Sequence, residues 1–192
     1  MPRLVFEYDP PERFVAGTVG EPGQRTFFLQ ARGGGRTTSV SLEKQQVSVL
    51  AERVEALLDE VVRRSAGEAD VPAVTPAEAT DAAPLDAPIE EEFRVGVMAL
   101  VWDPDDERIV IEAQALTEDD DDDSDDDDPP LIDDDEVDGP PLLRVRLTGA
   151  AARAFVSRAQ AVVAAGRPPC PFCGGPLDAG GHVCPRANGY RR

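Results

Sequence analysis

Among 192 residues there is one lysine, one histidine and one asparagine, and aromatic residues make up only 5%. No apolar run approaches the roughly 18–20 residues that a bilayer-spanning helix needs. The first fourteen residues, MPRLVFEYDPPERF, lack the apolar core of a secretory signal. The expectation is a soluble cytoplasmic protein with no membrane partner. The sequence also has no Gly-x-Ser-x-Gly, no Gly-x₄-Gly-Lys phosphate loop and no dinucleotide fingerprint. The single histidine lies among cysteines, so the usual general base is missing. These absences weigh against an enzyme. The basic residues are 18 arginines and Lys44. With abundant Ala, Gly, Pro and Asp, that ratio points to a GC-rich genome, so arginine richness alone is no sign of phosphate binding.

What is abundant is acid. The 38 Asp and Glu outnumber the 19 Lys and Arg, for a net charge of -19. A uniformly acidic surface would repel phosphate backbones and anionic membranes. The charge is not uniform, however. Fifteen acids fall within 118–138 and seven within 66–91, with no base in either segment. Setting those 22 aside leaves 16 acids against 19 bases, a net of +3 for the rest. Segment 66–91 carries Pro72, Pro76, Pro84 and Pro88 among alanines and acids and reads as an unstructured linker. The aspartate run within 118–138 repels itself and reads as a disordered loop. It lacks the ligand spacing of a helix–loop–helix calcium site. The other reading is an interaction or autoinhibitory segment.

Outside those segments the pattern repeats. Strand-like runs at 14–19, 25–32 and 36–42 precede a helical stripe of Val47, Leu50, Val54, Leu57, Leu58 and Val61 within 43–64. Ser41 is its expected N-cap. Further runs at 93–102, 108–115 and 142–148 precede a second stripe of Ala152, Phe155, Ala159, Val162 and Val163. Thr148 is the expected N-cap there, and Gly166 the expected left-handed stop. The run 93–102 is apolar on both faces and reads as a central strand. Val40-Ser41-Leu42 matches Val145-Arg146-Leu147 at an offset of 105, and Leu50 then falls on Phe155. The expected fold is therefore α+β. A first βββα unit spans 1–65, with an extra leading strand at 4–8. The linker 66–91 joins it to a second βββα unit at 92–166, whose hairpin carries the acidic loop 118–138. A tail at 167–192 follows. Lengthening a flexible hairpin loop costs only roughly 0.6 kcal/mol per doubling.

The tail holds every cysteine and the histidine: Cys170, Cys173, His182 and Cys184, as C-x₂-C-x₈-H-x-C. Two thiolates on one tight turn are the shape of a zinc knuckle. His182 and Cys184 are two apart, so in an extended segment they share a side. Four protein donors close a tetrahedral site to water and substrate, which makes the expected zinc structural. A redox Cys-x-x-Cys pair or free thiols are the competing readings. The first leaves His182 and Cys184 without a role.

The arginines offer further candidates. Arg144 and Arg146 point away from the helix-facing side of their strand. Arg186, Tyr190 and Arg191 place arginines beside an aromatic next to the knuckle. Together these can contact RNA or single-stranded DNA, with Tyr190 stacking on a base. Asp9, Glu12, Arg13 and Arg25 sit at turns. There they are surface ion pairs or, if a deep pocket gathers them, the site of a small-molecule enzyme.

Two stretches, 9–31 (DPPERFVAGTVGEPGQRTFFLQA) and 166–190 (GRPPCPFC…HVCPRANGY), resemble the uncharacterised actinobacterial family called domain of unknown function 3090. The resemblance covers the whole chain and implies a cytoplasmic protein with a C-terminal cysteine module. It implies no activity, substrate or catalytic residue. In outline alone, paired β-rich repeats each ending in a helix are similar to PUR and Whirly single-strand binders. The reading is a non-catalytic binding or adaptor protein with an unidentified protein partner and a structural zinc. Its alternatives are a nucleic-acid binder modulated by the acidic loop, and an enzyme.

Overall fold

The computed structural model describes residues 3–21, 23–117, 138–166, 170–173, 177, 182, 184 and 186. Alternating apolar residues lay down seven strands: β1 (Val5–Tyr8), β2 (Arg13–Val19), β3 (Thr26–Gly33), β4 (Arg36–Leu42), β5 (Glu91–Asp103), β6 (Arg108–Ala115) and β7 (Leu142–Thr148). They form one mixed sheet in the order β1-β7-β6-β5-β4-β3-β2. β2-β3-β4 and β5-β6-β7 are antiparallel meanders, joined by a parallel β4–β5 pairing. β1 adds parallel to β7. β5, apolar on both faces, takes the middle of the order. β6 and β7 form the arms of the expected hairpin. The aspartate run between them, at 118–137, lies outside the described residues.

Two helices pack on one face, α1 (Lys44–Arg64) and α2 (Gly149–Ala164). Val47, Leu50, Val54, Leu58 and Val61 of α1 join Ala152, Phe155, Val156 and Ala159 of α2 in one core against Leu29, Val40, Ile109, Ile111 and Val145. The sheet curls around this core. Phe6 of β1 lies 6.3 Å from the Phe93 ring of β5. Tyr8 Oη is 2.7 Å from Thr38 Oγ1 of β4. α2 then covers the free edge of β2: Phe155 stacks on Phe14 with 4.8 Å between centroids, and Arg158 Nε donates to Ala16 O at 2.7 Å.

Helix ends correct two expectations. The N-cap of α1 is Glu43, not Ser41. Ser41 is still paired to Phe28 and Arg94, so β4 runs through Leu42 before the chain can turn. Gln46 Oε1 accepts from the Glu43 amide at 2.8 Å. Thr148 caps α2 as expected, accepting from Ala151 N at 3.2 Å. α2 is closed by Ala165 (φ -69°, ψ 23°), and Gly166 does not take a left-handed conformation. The left-handed turn lies after α1, at Ala66 (φ 53°) and Gly67 (φ 84°), where Gly67 N donates to Val62 O at 3.0 Å.

The segment read as an unstructured linker is instead a strap laid over the body. Its first part crosses the start of α2: Val71 is buried, and Thr75 Oγ1 donates to Arg153 O at 3.0 Å. Its second part covers the sheet face opposite the helices. Gln30, 1% exposed, pairs its side-chain amide with both backbone groups of Asp86, at 2.7 and 3.0 Å. Leu85 sits over Gly17, where an added Cβ would come within 2.6 Å of it. The composition argument failed here because the body supplies what the strap lacks. Buried donors satisfy its backbone and arginines hold its carboxylates.

Candidate metal centre and arginine network

Four soft side chains meet beyond α2. Cys170 opens a tight turn at 171–173. The backbone N–H groups of Cys173 and then Phe172 point at its sulfur and bring the Cys170 thiol down to about 7. The turn thus favours thiolate before any metal arrives. Cys170 Sγ lies 3.8 Å from Cys184 Sγ, and Cys173 Sγ lies 3.0 Å from His182 Nε2. All four donor atoms fall within 4.8 Å of one another. Cys170 and Cys184 are buried, while Cys173 and His182 are partly exposed. Arg186 Nη1 donates to Phe172 O at 3.0 Å and closes the back of the turn.

This set fits a tetrahedral ion. Zinc–sulfur bonds of about 2.3 Å place two thiolates about 3.8 Å apart, which is the Cys170–Cys184 spacing. The Cys173–His182 pair is tighter than a shared ion requires, by about half an ångström, because thiol and imidazole are hydrogen-bonded directly. Cys170, Cys173, His182 and Cys184 can therefore hold a metal ion, and their donor set is consistent with zinc.

The arginines singled out in the sequence are dispersed. Arg144 Nε donates to Glu112 Oε1 at 2.6 Å, and Glu112 has no exposed surface. Arg146 sits among Asp103, Asp106 and Asp9 at 2.6, 2.9 and 3.3 Å. The hydrogen bond from Arg146 holds Asp103 below the ordinary carboxylate range. Arg25 Nη1 donates to Ala165 O at 2.7 Å. Tyr190 and Arg191 lie outside the described residues.

Arg13 anchors a network that sequence reading missed. It forks onto Asp81 through Nε at 2.6 Å and Nη2 at 3.1 Å, and also donates to Ala83 O and Pro84 O. Arg158 Nη1 donates to Asp81 Oδ1 at 2.9 Å and Asp81 O at 2.7 Å. Arg32 Nη1 meets Asp86 at 2.9 Å. A cavity of about 690 Å³ adjoins this network and includes Glu12 and Arg13 in its wall, but not Asp9 or Arg25. The four residues proposed as an enzyme pocket are thus not gathered. A clue was available: α2 has no acid, yet carries Arg153 and Arg158 among its apolar positions.

The hydrogen bond from Arg13 lowers the Asp81 carboxyl below its usual 3.8. A carboxyl whose folded pKa is depressed stabilises the fold above its unfolded pKa, and that contribution is lost as pH falls through the folded value. The strap should therefore stay docked at neutral pH and begin to loosen once pH drops below about 4. Amide exchange at 79–86 would rise there, while amides of β3 stay protected. Asp81→Asn should show faster strap exchange already at pH 7. Equal strap protection in both proteins at pH 7 would contradict this.

A family model described as "Protein of unknown function (DUF3090)" matches residues 6–184. No curated protein and no solved structure matched the chain.

Proposed function

The chain belongs to the DUF3090 family, whose description assigns no function, and from that premise we propose that it is a non-catalytic binding protein stabilised by one structural zinc. The convergence of Cys170, Cys173, His182 and Cys184 within 4.8 Å carries the zinc reading. Four protein donors would leave no open coordination position, which is the pattern of structural rather than catalytic zinc. Zinc would supply folding energy to a short Gly- and Pro-rich tail that has little apolar core of its own. The three cysteines are free thiols. A cytoplasmic location, which keeps thiols reduced, belongs to this reading. So does an actinobacterial source, supported by 18 arginines against one lysine.

Fresh, tag-free protein should contain about one zinc per chain by elemental analysis. Cys173→Ser should bring it to background without changing the far-UV spectrum of the sheet. Zinc-free fresh protein would reject the reading. The binding role is tested by pull-down from native lysate, with and without 118–138, scored for protein and nucleic acid. A protein partner supports the adaptor reading. Salt-dependent recovery of RNA or single-stranded DNA would favour the nucleic-acid alternative instead.

The same proposal includes an internal duplication of a βββα unit, β2-β3-β4-α1 and β5-β6-β7-α2. Two cross-strand pairs support it. Gln30 pairs with Ser39, and Glu112 with Arg144, on the middle and last strands of the two meanders. Ser39 and Arg144 are separated by the same 105 residues that separate Val40 from Val145. Gln30 and Glu112 are both buried polar residues.

A further inference from the structure

The cavity at the free edge of β2 has two unlike walls. One is apolar, built from Phe14, Leu147, Ala151 and Phe155. The other carries Arg13 and Arg158, whose side chains are only 9% and 10% exposed. The strap, with Thr80 and Asp81, forms the lid. Its volume of about 690 Å³ suits a small molecule.

The cationic wall is not fully satisfied. Among the described residues Arg13 Nη1 is buried without a hydrogen-bond partner; Asp86 Oδ2, at 3.3 Å, forms an ion pair with it but is too poorly aligned for a hydrogen bond. Arg158 uses Nε and Nη1 on Ala16 and Asp81. Its Nη2 makes no hydrogen bond among the described residues and is not among their buried unpaired atoms, and Arg158 itself lines the cavity. Burial, and then repulsion from Arg13, outweigh the attraction of Asp81 and lower the Arg158 pKa. A guanidinium in that state gains from a further anion. Of the cavity's acids, Asp81 and Asp86 are already engaged by arginines, and Glu12 and Glu78 are exposed.

We propose that this cavity binds a small ligand with an anionic head and an apolar body, the head on Arg158 and the body against Phe14, Leu147 and Ala151. A carboxylate and a phosphate monoester both meet that description, because either offers anionic oxygens to the N–H groups of Nη2, which Ala16 and Asp81 leave unused. The site is separate from the cysteine cluster and stands or falls independently of zinc.

The test is an amide-resolved NMR titration of the full chain with hexanoate, phenyl phosphate and, as a neutral control, benzyl alcohol. At least one anion should shift amides at 13–15, 79–83 and 154–158, and which of the two does so identifies the head group. Benzyl alcohol should bind about tenfold more weakly or worse. Arg158→Gln should weaken the anion about tenfold. Ala154→Trp, which fills the cavity and removes no charge, should abolish binding while the protein melts normally, so the proposal remains testable even if Arg158→Gln fails to fold. Equal binding of anion and alcohol would overturn it. So would shifts confined to other regions, unchanged binding by Ala154→Trp, or no shift by about 10 mM ligand, a very weak limit for a built site.

Discussion

Stripping the proposed zinc with a chelator should divide the chain into a folded part and an unfolded part. The C-terminal module should lose its structure while the sheet and both helices persist. Apparent binding free energies for structural zinc run to about 10–16 kcal/mol in small modules. That matches or exceeds the whole stability of a typical domain, about 5–15 kcal/mol. A module held by four donors cannot outlast that loss. The body has its own means of staying folded: a continuous core from Phe6 to Ala159, and α2 tied to α1 by Arg153 to Asp59 at 2.5 Å. Trypsin reports the difference. Arg186, hydrogen-bonded to Phe172 O, should be cut slowly with zinc and rapidly without it, while the body stays intact. Readdition of zinc should restore protection. Equal cleavage at Arg186 in both states would show that no metal organises the turn.

That module was legible because it is local. Four soft side chains within fifteen residues declare themselves by spacing. The strands were legible for a similar reason: half-buried faces impose alternation, and the runs at 36–42, 108–115 and 142–148 coincide with β4, β6 and β7. Pairing across distance was not legible. Nothing near Asp81 announces Arg13, 68 residues earlier, or Arg158, 77 residues later. An acidic Pro/Ala segment therefore reads as linker until those partners are known. Ser41 misled for a different reason. As a residue type it suits a helix cap, but pairing to both β3 and β5 commits its backbone to the sheet. Arginine was the least readable residue type. Its charge suggests phosphate on the surface, yet Arg13, Arg144, Arg146 and Arg158 all point at carboxylates of their own chain.

Phe155→Ala should be among the most damaging substitutions in the body. Phe155 is 1% exposed and reaches from α2 to Phe14 on β2. β2 ends the strand order on one side, and α2 follows directly from β7 near the other. The ring therefore fastens the two ends of a curled sheet to one helix. Removing a buried phenylalanine side chain costs about 3–5 kcal/mol, from lost transfer energy and the void left behind. The adjoining cavity gives neighbouring side chains room to relax, so the lower half of that range is expected. Phe155→Leu keeps most of the volume and should cost less than about 1.5 kcal/mol. Urea denaturation followed by far-UV circular dichroism measures both. The proposed duplication adds a comparison, because Leu50 holds the matching place on α1 and is 3% exposed. Leu50→Ala should cost about 2–5 kcal/mol but leave the β2 edge closed. Amide exchange along 13–19 separates the two cases: faster in Phe155→Ala, unchanged in Leu50→Ala at equal denaturant distance from the midpoint. If both variants open that edge alike, α2 is not what fastens it, and closure belongs to the core as a whole.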